Sequence, residues 1–290
     1  MSSPTTPTGA PSGSLVGRLL LRGMLAGLIA GLFAFGIAYV AGEPSVNASI
    51  AVEEATAAKA EQAGHAEHAT AHSHGAGGAK DANGAATQAD SEEEIVSRDL
   101  QSTAGLATGV LVYGVALGGI ASLAFCFVLG RVGRFTPKAT AALVAAAAFT
   151  TVYLVPFLKY PATPPAVGNP DTIGKRTTLF FLMILLSVLL GIAAVIAGRR
   201  LAPRLGNWNA TVVAGAGFTA AVALACAFLP ANTDAVAPEF PAAVLWEFRI
   251  ATLGIQAGLW VVFGLAFGFL AERLLAPKPA PVPVAAATAG

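Results

Sequence analysis

Six stretches of this chain stay apolar for about the twenty residues a helix needs to cross a hydrocarbon core. They run from Leu19 to Ala41, Leu106 to Leu129, Ala139 to Leu158, Leu179 to Ala197, Ala210 to Leu229 and Ile250 to Ala271. Short polar, proline-bearing turns separate the later runs, whereas one long polar segment separates the first two. The pattern predicts an all-α integral membrane protein of about six transmembrane helices, with a long extracytoplasmic loop between helices 1 and 2. It divides the chain into a disordered tail (1–14), a first transmembrane helix (15–41), the loop (42–105), a five-helix membrane domain (106–276) and a second disordered tail (277–290). The first run is too long for the apolar core of a signal peptide, and no small-residue cleavage site leads from it into a soluble domain, so it is expected to be an anchor.

The long loop reads in three pieces. Ala48 to Ala63 is rich in Ala and Glu, both good helix formers, and is expected to continue the first helix beyond the bilayer. His65 to Ala89 is Ala, Gly, His and Ser without apolar periodicity, the composition of a flexible segment. Ser91 followed by Glu94 is a capping-box pattern that would open a helix leading into the second span.

Composition agrees with the pattern: 55% of residues are hydrophobic, only 11% are charged, and mean hydropathy is +0.68. Charge then orients the spans. Arg18 and Arg22, the turn with Arg131, Arg134 and Lys138, the turn with Arg199, Arg200 and Arg204, and the tail with Arg273 and Lys278 fall on one face. The opposite short loops carry Lys159, Lys175, Arg176 and Arg249, and the long loop adds Lys59, Lys80 and Arg98. The excess of basic residues places both termini in the cytoplasm and the long loop outside. Among the acidic residues only Glu272 falls inside, so the outer surface is anionic and would concentrate cations.

The chemistry lies in that loop. His65, His68, His72 and His74, the only four histidines, lie within ten residues of one another. Imidazole binds divalent first-row metals, and a histidine-rich tract is a metal-binding composition. If the tract is helical, His65, His68 and His72 share a face, with Glu61 one turn before them. Such ligands must be deprotonated, so binding should fade as pH drops through about 6.5. Three further outer segments are unusually polar: Gly42-Glu43-Pro44 with Asn47, Glu53 and Glu54; Pro156 to Pro161 continuing through Pro164-Pro165 to Asp171 and Arg176; and Pro230, Asn232 and Asp234 leading to Trp246-Glu247-Phe248-Arg249. Proline there is expected to stop helices at the interface, with Tyr160 and Trp246 in the aromatic belt. Candidate metal ligands are thus the four histidines with Glu43, Glu53, Glu54, Asp171, Asp234 and Glu247. Oxygen ligands after imidazoles would lower affinity stepwise and allow release.

The run from Gly42-Glu43-Pro44 to Glu53-Glu54, the run from Phe157-Leu-Lys-Tyr-Pro161 through Thr172-Ile-Gly to Arg176-Thr177, and the run from Phe240-Pro241 to Trp246 and Phe248-Arg249 resemble the CbtA family of predicted cobalt transporters. The likeness spans essentially the whole membrane part. It implies cobalt uptake linked to cobalamin biosynthesis, with cobalt as substrate, no organic cofactor, and a small single-span partner subunit carrying its own histidines. That family is usually described with five spans, where the hydropathy here marks six.

Other signals are structural. Gly23, Gly27 and Gly31, then Gly254 and Gly258, then Gly264 and Gly268 have the spacing of close helix packing. Spans two and three share a weak internal echo with spans four and five, a common transporter architecture. Cys126 and Cys226 fall toward opposite faces, too far apart for a disulfide. There is no phosphate loop, no H-E-x-x-H and no G-x-S-x-G, so neither ATP hydrolysis nor another enzyme activity is expected. The expected partners are the lipid bilayer, a second copy of the chain and the small single-span protein, and no nucleic acid. The residues suit cobalt and nickel alike. They also leave open a metal-binding scaffold or sensor that carries no cobalt itself.

Overall fold

A computed structural model describes residues 14–71, 97–164, 167, 170–232, 236 and 240–276, all helix, turn or coil. Helix α1 (Leu15–Ile37) starts at Ser14, whose hydroxyl accepts the Gly17 N–H at 3.1 Å. It passes through a π-helical turn (Ala38–Gly42) directly into α2 (Glu43–Ala71). Pro44 therefore does not stop the helix, as its sequence position suggested. In the widened turn the Glu43 N–H reaches back to the Ala38 carbonyl. The next donor in that register would be Pro44, which has none to offer, so the turn absorbs the proline.

The same device recurs where α5 (Pro137–Ala148) passes through a π turn (Phe149–Leu154) into α6 (Val155–Lys159). Val155 N–H bonds the Thr150 carbonyl, and Pro156 follows. The Thr151 carbonyl, left without a main-chain donor, accepts the Ser187 hydroxyl from a neighbouring helix. Pro161, Pro230 and Pro241 do stand outside helices, after Lys159, after Phe228 and before Ala242. Helix α2 also runs to Ala71 and takes in His65 and His68, where composition had suggested flexibility from His65 onward. The second span opens at Ser97 as α3 (Arg98–Leu100), a third π turn (Gln101–Gly105) and α4 (Leu106–Val128). The Ser91–Glu94 pattern lies outside the described residues.

Helix α7 (Ile173–Phe228) is too long for one bilayer crossing, and Gly206 breaks it. Its φ of 76° with ψ of 160° is backbone that only glycine adopts cheaply. A Cβ on Gly198 would lie 3.3 Å from the Ala214 methyl. On a straight helix those positions stand about 24 Å apart, so α7 folds back into a helical hairpin whose turn carries Arg199, Arg200, Pro203 and Arg204. The last helix is α8 (Ala242–Leu275). Among the described residues five helices are long and apolar enough to cross a membrane when α7 is taken whole.

The core lies between α1, α4, α5 and α8, with Phe125, Trp260, Phe263 and Phe267 among small alanines. Phe125 meets Phe267 edge to face, ring centres 5.0 Å apart. Helices α1 and α4 cross in near backbone contact: a Cβ on Gly23, Gly27, Gly114 or Gly118 would collide with backbone of the other helix. Gly264 and Gly268 seat α8 on Ala145, Ala141 and Lys138 of α5, whereas Gly254 faces open space. The α7 hairpin packs at the side through Met183, Phe218 and Val222 against Val155 and Tyr160. Large apolar side chains such as Phe127, Trp208, Val261 and Phe228 face outward, as a lipid-covered surface requires.

Two contacts gather one end of the bundle: Arg22 donates to the Leu270 carbonyl, and Lys138 pairs with Glu272 at 2.5 Å. At the other end the Tyr160 hydroxyl donates to the Pro230 carbonyl at 2.9 Å. Cys126 and Cys226 are both free thiols.

Candidate cation site

Of the residues expected to bind metal, His72, His74 and Asp234 lie outside the described residues. His65 and His68 are placed by their backbone on α2, three positions apart. Glu53 and Glu54 stand exposed about 15 Å along α2 from Glu43. Asp171 is exposed on a single 3-10 turn (Pro170–Thr172), and Glu247 is exposed near the start of α8. Among the described residues no three His, Cys, Asp or Glu side chains gather as a metal site.

Glu43 instead meets a cation belonging to the protein. Its carboxylate lies 2.5 Å from the Arg98 guanidinium, which also donates to Asn47 Oδ1 at 3.1 Å. The Glu43 side chain keeps 13% of its exposure and Arg98 33%. The pair ties the two ends of the long loop together, because Glu43 opens α2 and Arg98 opens the second span.

Beside the start of α2, where Gly42 meets Ile255, α8 presents Arg249, Thr252, Gln256 and Trp260 at helical spacing, one face of the helix. Gln256 lies about 10 Å deeper than Arg249 along the axis. The Tyr113 hydroxyl of α4 lies beside the Gln256 side chain. Tyr153, carried on the π turn between α5 and α6, stands beside both Thr252 and Tyr113. Thr252 donates its own proton to the Arg249 carbonyl at 2.9 Å. Three buried polar atoms of this cluster make no hydrogen bond: Tyr153 Oη, Gln256 Oε1 and Trp260 Nε1. A second π turn adjoins it, since Gly42 sits against Ile255 of α8, and the third, Gln101–Gly105, lies two turns before Tyr113 on the same helix.

The second and third outer segments meet beside the cluster. Tyr160 reaches Pro230, and Arg249 Nε donates to the Ala162 carbonyl at 3.3 Å. Between α6 and α7 they frame an open cleft of about 510 Å³ that runs from Asn232, Arg176 and Pro161 inward to Tyr153. Burial, with a smaller contribution from Cys226, pushes the Tyr160 hydroxyl above its usual pKa, so it remains a neutral donor at physiological pH.

The family model for the probable cobalt transporter subunit (CbtA) matches residues 16–272. The chain belongs to the CbtA family. Comparison with curated proteins and with solved structures finds no match. As a CbtA protein it is a multi-pass membrane protein of a cobalt transport family, and a family named for a subunit implies at least one partner chain.

For a CbtA chain the ion is cargo, so a site must hold it without trapping it. The oxygens of Gln256, Tyr113, Tyr153 and Thr252 are neutral and hard, a donor set for an ion that keeps part of its water shell. These four residues are uncharged, so the charge pattern does not mark them, and in that pattern Arg98 is only a loop cation. Gln256 is the sole amide in the run from Ile250 to Ala271, and that was the signal available.

Proposed function

We propose that this chain is the membrane-spanning component of a cobalt uptake system that serves cobalamin biosynthesis. It crosses a bacterial inner membrane six times with both termini in the cytoplasm, the α7 hairpin contributing two crossings, and works with a small single-span, histidine-containing subunit. The observation that carries the reading is the family match over nearly the whole chain. The outer histidines His65, His68, His72 and His74 capture the ion, and the anionic outer face raises its local concentration. Glu43 receives it by exchange for Arg98, with Glu53, Glu54, Asp171, Asp234 and Glu247 lining the approach. The basic residues at the end shared by Arg22, Lys138 and the Gly206 turn support the orientation.

The test is radiolabelled cobalt uptake into proteoliposomes holding the purified chain, with and without its small partner and with nickel as competitor. Saturable entry establishes transport, and the competition measures selectivity. Cobalt bound to the protein without entry in either preparation would overturn the reading in favour of a metal-binding scaffold or sensor. Replacing all four histidines by alanine should weaken uptake at limiting cobalt and spare it at excess, whereas Glu43→Ala should abolish both.

A further inference from the structure

Hydrocarbon supplies no hydrogen bonds, so an unpaired polar atom at membrane depth costs more than one near water. Three such atoms, Tyr153 Oη, Gln256 Oε1 and Trp260 Nε1, gather on one side of α8. Trp260 is 4% exposed, so its indole N–H has no access to solvent. A chance arrangement would disperse these groups or pair them with one another. Polar groups kept at such depth and facing the inside of a bundle mark a path for polar cargo.

We propose that Gln256, Tyr153, Tyr113 and Thr252 form an intramembrane binding station for a partly hydrated divalent cation, with Trp260 Nε1 donating to a water of its shell. The station rests on the transport reading above and supplies the step between the outer carboxylates and the inner end of the bundle. Four oxygens come from three helices, α4, the α5–α6 segment and α8, so that neighbouring helices clamp the ion together. Tyr153 itself sits on a π turn, which widens a helix locally and displaces its side chains. Because every ligand is neutral, the ion keeps its water shell in part and leaves readily.

The experiment measures Co²⁺ binding by equilibrium dialysis to the full chain in lipid nanodiscs, in a parent whose four histidines are alanine, alongside Co²⁺ flux in proteoliposomes. Gln256→Leu and Tyr153→Phe should each weaken binding about tenfold, the loss of one oxygen to a charged partner, and raise KM for uptake. Gln256→Glu should bind more tightly and turn over more slowly. Unchanged affinity in both Gln256→Leu and Tyr153→Phe, or no Co²⁺ bound by the parent, would overturn the station. Tyr153→Phe removes an oxygen that has no partner, so it decides the matter alone if Gln256→Leu fails to fold. Absence of flux from the parent and from the histidine-bearing chain, each assayed with and without the small partner, would sink the transport reading, and the binding result would still judge the station.

Discussion

The single residue that most changes the picture is Arg98, whose charge occupies Glu43 at 2.5 Å. Fully buried pairs cost about 3–5 kcal/mol when one partner is removed, but Arg98 keeps a third of its side chain exposed. Arg98→Ala and Glu43→Ala are therefore expected to destabilise by about 1–2 kcal/mol each. The double variant should lose less than the sum, read from a double-mutant cycle of thermal unfolding in detergent; strict additivity would mean the contact carries no energy. Tyr160 offers a second residue-scale test. Tyr160→Phe leaves the Pro230 carbonyl without its donor and should cost about 1 kcal/mol. Its pKa is raised in the folded state, so the bond is intact below the unfolded value of about 10 and is lost as pH climbs through the folded one. The wild type should lose stability above pH 10 more steeply than Tyr160→Phe. Neither residue announces its partner in the sequence, since Arg98 and Glu43 are separated by the whole histidine loop.

At the scale of elements, glycine divides by what faces it. Gly27→Val would force a side chain into the Gly114 carbonyl and part α1 from α4, a cost above the usual 1–3 kcal/mol of overpacking. Loss of a monodisperse protein on size-exclusion chromatography is expected. Gly254→Ala meets nothing within 4 Å and should be neutral or slightly stabilising, by up to about 1 kcal/mol from helix propensity. Equal effects of the two substitutions would refute the α1–α4 crossing. The regular glycine spacing was legible, because only small residues at that period allow such contact; which glycine meets a backbone and which meets open space was not. Prolines misled in a related way. Pro44 and Pro156 read as terminators because the α-helical register cannot pass them, and the π turns before them change that register.

For the whole molecule, the decisive feature is the hairpin at Gly206, which brings the ends of α7 back to the side of Tyr160 and Pro230. In a chain with Cys126 and Cys226 replaced, Asn207→Cys should react with a membrane-impermeant maleimide only from the cytoplasmic side, and Glu61→Cys only from outside. Labelling of both from one side would reject the six-crossing arrangement. The hairpin turn holds Gly206, Pro203 and three arginines, all visible as a polar interruption in an apolar run.

What the sequence determined by itself is the class: all-helical, membrane-embedded, basic at one end and acidic at the other, with its histidines in one loop. These follow from local quantities, namely run length, charge and spacing, and each can be summed along the chain without knowing what touches what. Tertiary structure alone decided the pairing of Glu43 with Arg98, the helical course through Pro44, and the meeting of Tyr113, Tyr153, Thr252 and Gln256 from three helices. Beyond the lone amide of Gln256, such a cluster has no sequence signature. Each member looks like an isolated polar residue in an apolar helix, and only the crossing of those helices brings their oxygens to one place.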